Sequence, residues 1–209
     1  MRLRNVKNKE EILNNSKFLV KDYLYYKGNW NNYFKNDNPI YIEIGMGKGK
    51  FIIENAIKYP DINFIGIEKY DSVLAKSLPK IPDNLTNLAI IRMDALNIDN
   101  VFVKEVSRIY LNFSDPWPKD RHHLRRLTSK VFLEKYDSVF KKGTAEIFQK
   151  TDNQHLFIYS LESLSSFGYK LSDITFDLHN NANEDLITTE YEDKFSSKGM
   201  PIYSLVARK

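Results

Sequence analysis

The sequence contains no cysteine, which removes several kinds of chemistry at once. Without a thiol the chain forms no disulfide, offers no thiolate ligand to a metal and has no cysteine nucleophile. Histidines are few, and their spacing is not that of metal ligands, so we expect no bound metal. The four are His122, His123, His155 and His179.

Long apolar runs are missing as well. No stretch reaches the roughly 18 apolar residues that a membrane span needs, so we expect no transmembrane helix. The basic first residues, 1–9, are not followed by the apolar segment of a secretory signal. Because 42% of the residues are hydrophobic and 13% are aromatic, the chain is too apolar to be disordered as a whole. We therefore expect a soluble, cytoplasmic protein.

What the chain does have is a regular alternation of strand-like and helix-like segments from residue 39 onward. Apolar runs of strand length are followed by segments of helical periodicity, the pattern of strands joined by crossover helices. This alternation predicts an α/β fold with a mostly parallel, doubly wound, Rossmann-like sheet. The strand-like runs are 40–44, 63–67, 88–91, 108–113 and 145–148, and later runs at 169–178 and 202–207 are expected to add an antiparallel strand.

The helical segments and the domain limits follow from the same pattern. The segments with one apolar face are 51–57 before Pro60, 132–140 with Thr128 as a candidate cap, and 156–164 before Gly168. Residues 1–38 have weak periodicity, which predicts a partly flexible N-terminal arm with a helix near 9–25. Residues 39–209 then form a single domain, since no linker divides them. Whether the protein is a monomer or a homodimer is left open.

A glycine-rich turn follows the first regular strand. Its sequence is Glu43-Ile-Gly45-Met-Gly47-Lys-Gly49, and glycines there let the backbone turn tightly and approach a ligand. The dinucleotide fingerprint would need a further glycine where Lys50 stands, and a pyrophosphate would be repelled by Glu43. S-adenosylmethionine has no phosphate and carries two cationic centres, so an acid beside the turn favours that cofactor over NAD. The alternative is a strand-to-helix turn of purely structural value.

Acidic residues follow successive strands of the predicted sheet. Glu68, Asp94, Asp115 and Asp152 each come at or just after a strand-like run, as Glu43 does. The carboxyl ends of parallel strands lie on one edge of a sheet, where ligands bind. Each acid alone could instead cap the next helix. Five in succession predict an acidic crevice, with Glu68 placed for ribose hydroxyls and Asp94 for the adenine amine.

A stiff loop begins at Asp115 and continues into a basic segment. Pro116 and Pro118 fix the backbone on either side of Trp117, which could stack on a base or pack beneath the loop. Residues 116–130 contain five basic residues and one acidic residue, so they carry a charge of +4, equal to that of the whole chain. Such a local excess favours a surface that binds nucleic-acid phosphates over an ordinary solvated face.

Further along, Thr189-Glu190-Tyr191-Glu192 has the spacing of a capping box. That spacing alone explains Thr189 and Glu192 as well as a binding role does, and it does not decide between them.

Together these motifs resemble those of the bacterial tRNA (guanine-N7-)-methyltransferases, a class I S-adenosylmethionine-dependent family. The resemblance extends over nearly the whole chain, and its most specific part is the stretch from Phe113 to Lys119. Two departures are Gln149, where an aromatic residue is expected, and His123-Leu124 within the basic run. The matching segments are Arg2–Asn5, Glu43–Gly49, Gly66–Glu68, Arg92–Ala95, Tyr110–Lys119, Arg121-His122, Arg125–Thr128, Lys150–Asn153 and Thr189–Glu192.

The resemblance implies a role for each of these motifs. It implies transfer of a methyl group from S-adenosylmethionine to N7 of the variable-loop guanine, nucleotide 46, of tRNA, with Asp115 as the catalytic residue. The implied cofactor contacts are Glu43, Gly45, Gly47, Gly49, Glu68, Asp94 and Asp115. The implied substrate contacts are Lys119, Asp152, Thr189, Glu190, Tyr191 and Glu192. The implied RNA contacts are Arg121, His122, His123, Leu124, Arg125 and Arg126.

Three other functions fit the sequence less well. Exocyclic-amine methyltransferases generally have two adjacent prolines after Asp or Asn, whereas here Trp117 separates the prolines. A non-catalytic RNA-binding module would be expected to have lost the acids, and all are present. A nicotinamide dehydrogenase is disfavoured by Lys50 and Glu43.

Overall fold

A mostly parallel sheet forms the centre of the protein in a computed structural model that describes residues 6–181 and 186–209. The strand order is β3-β2-β1-β4-β5-β7-β6, and every pairing from β3 to β5 is parallel. Strand β7 runs antiparallel to both of its neighbours, as the sequence predicts for one late strand. The strands are β1 (Ile40–Ile44), β2 (Asn63–Glu68), β3 (Leu88–Arg92), β4 (Val106–Asn112), β5 (Glu146–Thr151), β6 (Lys170–Thr175) and β7 (Tyr203–Arg208).

Helices cover both faces of this sheet, so strands β1 to β4 are almost entirely buried, whereas the edge strand β6 has no buried residue. The order reverses between β1 and β4, which opens a crevice at the carboxyl ends of those two strands. The helices are α1 (Lys9–Asn15), α2 (Trp30–Phe34), α3 (Lys50–Lys58), α4 (Asp71–Ser77), α5 (Ile98–Val101), α6 (Lys130–Val139), α7 (Gln154–Ser166), α8 (Leu178–Asn181) and α9 (Glu190–Ser196).

The N-terminal segment differs from the single helix predicted near 9–25. Helix α1 ends at Asn15, and the chain then pairs with the edge of the sheet: Val20 N donates to Ile90 O at 2.9 Å and Ile90 N donates to Phe18 O at 2.8 Å. These bonds satisfy backbone groups that the edge strand β3 would otherwise expose. Trp30 is fully buried in the main core, so the described part of this segment packs against the sheet. The family-like residues 2–5 lie outside the described chain.

The cap predicted for α6 is also wrong by one position. Ser129, not Thr128, occupies the N-cap site. The hydroxyl of Thr128 is instead 2.8 Å from that of Ser160 on α7, so Thr128 joins two helices rather than starting one. Sequence spacing could not separate the two, because either hydroxyl suits a helix start.

Candidate functional site

The carboxyl ends of the central strands surround a cavity of about 590 Å³. Its lining includes four of the residues predicted for cofactor binding, contributed by separate strand ends and the loops that follow them: Gly45, Glu68, Asp94 and Asp115. Trp117 and Arg125 complete the side nearest the basic segment. The fold therefore brings the acidic edge and the basic loop to one crevice, whose lining residues Gly45 and Arg125 are 80 positions apart in the sequence.

The glycine turn is fixed to the neighbouring strand. Gly45 N and Met46 N both donate to Ile67 O, at 2.8 and 3.1 Å. Gly49 occupies the N-cap of α3 with a φ of 84°, and a Cβ there would approach the Ser77 hydroxyl to 2.7 Å. Only glycine fits both the left-handed backbone and this contact, so the position serves the turn itself.

Glu43 is an almost fully buried acid at the end of β1. Its side chain is 1% exposed, and its Oε1 accepts a hydrogen bond from Asn112 Nδ2 at 2.9 Å. Within the described residues its Oε2 has no hydrogen-bond partner. Burial raises the pKa of Glu43 to about 8, although the Asn112 bond opposes this shift. Glu43 does not itself line the cavity, although the next two residues, Ile44 and Gly45, do. It is therefore an acid beneath the cavity wall, already removed from water, and a cation that reached it would add little desolvation cost.

Glu68, at the end of β2, is held by backbone donors. Oε1 accepts from Lys69 N at 2.8 Å and Tyr70 N at 3.0 Å, and Oε2 accepts from Gly47 N at 3.3 Å. Burial raises its pKa, and these three bonds oppose that effect. The carboxylate is thereby fixed in orientation between the glycine turn and α4.

Asp94 and Asp115 follow β3 and β4. Asp94 does cap a short helical turn, since its Oδ1 accepts from Leu96 N at 3.0 Å, yet its side chain still lines the cavity. The cap and the predicted ligand site are therefore compatible. Asp115 is exposed on the loop beyond β4. This loop turns sharply, because Phe113 and Trp117 both have left-handed backbones, with φ of 51° and 43°.

The basic segment forms a single 3-10 helix over Asp120–Arg125, beside the loop of Asp115. Trp117 is half-buried, with the guanidinium of Arg125 4.9 Å from its ring centroid and His122 edge-on at 5.7 Å. Of the predicted RNA contacts, Arg121, His123, Leu124 and Arg125 are exposed, as is the predicted substrate contact Lys119. Arg126 is different, being only 8% exposed.

The segment Thr189–Glu192 begins helix α9, and its capping box is present. Thr189 Oγ1 accepts from Glu192 N at 2.9 Å, and Glu192 Oε2 accepts from Thr189 N at 3.2 Å. Tyr191 lies 5.0 Å, centroid to centroid, from Phe113 and donates to Asp152 Oδ2 at 3.1 Å. Glu190 pairs with Lys80 at 2.7 Å. The capping role is thus real, and the same segment also closes over the strand ends.

Lys150, on β5, is a residue to which sequence reasoning assigned no role. Its side chain is 1% exposed and its Nζ lies 3.1 Å from Oε2 of the fully buried Glu192. Nζ also donates to Ile187 O at 3.0 Å. Burial lowers the pKa of Lys150, and the Glu192 charge opposes this. Little in the sequence marks this residue, because β5 has the sequence Glu-Ile-Phe-Gln-Lys-Thr and contains only two apolar residues.

Two kinds of site are not observed in the described ranges, 6–181 and 186–209. No three residues of the metal-binding types come together there. Nor is any helix of those ranges sufficiently long and apolar to cross a membrane.

Solved structures similar to this chain are methyltransferases. It superimposes on the 16S rRNA methyltransferase KamB with a TM-score of 0.65 over 86% of this chain and 92% of that one, at 13% identity. An antibiotic-related methyltransferase gives 0.62 over the same shares, at 17% identity. At such identities the likeness establishes the fold, a Rossmann-like class I methyltransferase fold.

The sequence comparisons are closer. A family model described as "Putative methyltransferase" matches residues 37–205. A tRNA (guanine-N(7)-)-methyltransferase of Lachnoclostridium phytofermentans is 51% identical over 99% of this chain and 98% of its own length. One of Bacillus subtilis is 52% identical over 85% of this chain and 84% of its own. The chain belongs to the tRNA (guanine-N(7)-)-methyltransferase family.

Proposed function

We propose that the protein transfers a methyl group from S-adenosylmethionine to N7 of the variable-loop guanine, nucleotide 46, of tRNA, giving 7-methylguanosine. The single observation that carries this is the direct continuity of an acidic, strand-end crevice with an exposed basic loop through Asp115 and Trp117. The acids suit a cationic cofactor, and the basic loop suits an RNA backbone. Relatives about half identical over most of the chain are named tRNA (guanine-N(7)-)-methyltransferases, which supports the enzyme class.

The acids in the crevice, and Glu43 beneath its wall, fit the cofactor. The unpartnered Oε2 of Glu43 suits the ammonium of its methionine part, and Glu68 suits ribose hydroxyls. Asp94 Oδ2 lies 3.7 Å from Lys69 Nζ. The same carboxylate suits an adenine amine as a hydrogen-bond acceptor. When bound, S-adenosylmethionine supplies an electrophilic methyl group on a cationic sulfur.

Asp115 acts by position and charge. Guanine N7 presents a lone pair and carries no hydrogen, so no general base is required at that atom. The methylated purine is cationic, and a carboxylate placed beside it stabilises the charge as it develops. Holding the base in line with the methyl group supplies a further part of the rate.

The substrate side is assigned by exposure. Asp152 is a half-exposed carboxylate that could accept from the N1–H and amino group of guanine, which adenine does not offer together. Lys119, Arg121 and Arg125 are exposed and suit phosphates. Glu192 is fully buried and paired, so its part in binding is to hold Thr189–Tyr191 in place.

The same proposal includes the domain limits, the oligomeric state and the cellular location. We assign residues 39–209 to a single methyltransferase domain and 1–38 to an N-terminal arm, whose described part lies against that domain. The protein acts as a monomer or homodimer. It works in the cytoplasm, where its tRNA substrate is found.

The test is transfer of labelled methyl from S-adenosylmethionine to unmodified tRNA, followed by aniline cleavage, which cuts at 7-methylguanosine. We expect cleavage at one variable-loop guanine, and no labelling with Asp115→Ala, which should remain folded by circular dichroism. Labelling without cleavage would place the methyl on an amine. Parental turnover in Asp115→Ala would contradict the role of that residue.

A further inference from the structure

Arg126 belongs by sequence to the basic segment but not by location. Its neighbour Arg125 is exposed, as is Arg121, whereas Arg126 is 8% exposed. A side chain removed from solvent cannot serve as a phosphate contact without leaving its present partners. Its burial therefore calls for a different role.

The guanidinium of Arg126 holds the loop that begins at Asp115. Nε donates to Pro116 O and Nη2 donates to Trp117 O, both at 3.1 Å. These are the two residues that directly follow Asp115. The guanidinium also lies over the ring of Tyr159 on α7, with its Cζ 4.3 Å from the ring centroid. Two N–H donors on one rigid guanidinium, which packs on the Tyr159 ring, fix two successive carbonyls at once.

The loop has reason to need such a clamp. Phe113 and Trp117 both have left-handed backbones, which non-glycine residues adopt only where the surroundings hold them there. Pro116 and Pro118 have no N–H, so this loop has few backbone donors with which to hold itself in place. Its carbonyls at Pro116 and Trp117 need donors from outside the loop, and Arg126 supplies both.

We propose that Arg126 is a positioning residue that sets the loop bearing Asp115 and Trp117, and that it makes no contact with RNA phosphates. This rests on the proposed function, in which Asp115 lies at the reacting centre. The loop passes the effect on: when the two carbonyls are released, Asp115 loses its fixed place relative to the target base. The proposal separates two adjacent arginines that sequence reasoning treats alike.

The test compares Arg126→Lys with Arg125→Ala. Lysine keeps the charge but offers a point donor in place of the fork. For Arg126→Lys we expect kcat to fall by one to two orders of magnitude at unchanged KM for tRNA and unchanged salt dependence of tRNA binding. For Arg125→Ala we expect weaker tRNA binding and a salt slope smaller by about one unit. Parental kcat in Arg126→Lys, or a salt slope lowered as in Arg125→Ala, would overturn the proposal.

A second readout reports on the loop itself. The chain has two tryptophans, and Trp30 is fully buried, so acrylamide quenching reports mainly on the half-buried Trp117. Quenching should increase in Arg126→Lys, and an unchanged value would contradict the clamp. This comparison needs no turnover. If the parent protein failed to methylate tRNA, the proposed function would fail while quenching still decided the contact.

Tyr159 provides variants that leave Arg126 in place, in case its replacement prevents folding. Tyr159→Leu removes the supporting ring, and we expect kcat to fall about threefold to tenfold at parental KM for tRNA. Tyr159→Phe keeps the ring and should behave as the parent. Equal kcat values for the two variants would contradict the role of the stack.

Discussion

Glu43 beside the glycine turn and Glu192 in α9 are buried to the same degree but have different interaction partners. Glu43 is 1% exposed and receives one amide hydrogen bond, from Asn112. Glu192 is 0% exposed and contacts Lys150 Nζ at 3.1 Å and His179 Nε2 at 3.2 Å. A buried carboxylate that already has a cation works as a structural link. Glu43 forms no ion pair among the described residues, although the charge of Lys150 acts to lower its pKa, so its carboxylate remains available to a cationic ligand.

This difference follows from what each region joins. Glu192 connects the C-terminal helix α9 to strand β5, so its partner must come from the chain itself. Glu43 stands where the sheet order reverses, the edge at which parallel sheets bind ligands. The first two of the three experiments below separate Glu192, which links two elements, from Glu43, which we assign to a cationic ligand.

The largest effect is expected from breaking the Lys150–Glu192 pair. Lys150→Met places an apolar side chain beside the buried Glu192 and leaves His179 as its remaining ion-pair partner among the described residues, so we expect the free energy of unfolding to fall by about 3–5 kcal/mol. Denaturant unfolding followed by circular dichroism measures this change. The matched control is Lys150→Met with Glu192→Leu, which removes both charges and should recover most of the loss. A single variant as stable as the parent would show that the pair is no link.

A smaller effect, and of a different kind, is expected at Glu43. Glu43→Gln cannot ionise when the cofactor binds, so it lacks the negative charge that we assign to the cofactor ammonium, and S-adenosylmethionine affinity should fall about 10- to 100-fold. The free energy of unfolding should not decrease, because no cation within the described residues is left unpaired by the change. Calorimetric titration and a parallel denaturant series check the two halves. Lost stability with unchanged affinity would make Glu43 another link.

The smallest effect concerns a buried polar group that is neither link nor ligand. Gln149, on β5, is 1% exposed, and within the described chain neither its Oε1 nor its Nε2 has a hydrogen-bond partner. Gln149→Leu should raise the free energy of unfolding by about 1–3 kcal/mol, since an unsatisfied amide is replaced by an apolar group of similar size. Methyl transfer should be unaffected. A destabilised variant would mean that the amide is satisfied after all.

The regions that sequence could predict were those governed by local pattern. Strands β1 to β5 follow from apolar runs, and the acids at their ends follow from the rule that ligands bind at that edge. The pair of Arg125 and Arg126 could not be divided, because burial depends on Tyr159, which lies 33 positions further on. Lys150 and Glu192 are 42 positions apart, and only the tertiary fold brings them together. The predicted N-terminal helix, 9–25, was too long because the pairing of Leu19 with Ile90 of β3 is also a nonlocal contact.

The pH behaviour of Glu43 follows from its raised pKa. Its ordinary value of 4.5 is raised to about 8 by burial, so at neutral pH the folded protein holds a proton that the unfolded chain has lost. The stability that this proton contributes is complete below about pH 4.5 and is lost as pH rises toward about 8. An ammonium ligand favours the ionised acid, so binding should expel the proton.

Calorimetric titration of S-adenosylmethionine at pH 7, in buffers of different ionisation enthalpy, measures that proton directly. It therefore tests the claim that Glu43 binds the ammonium of the cofactor. We predict release of about one proton for the parent protein and none for Glu43→Gln. Release of no proton by the parent, or equal release by both proteins, would contradict the account.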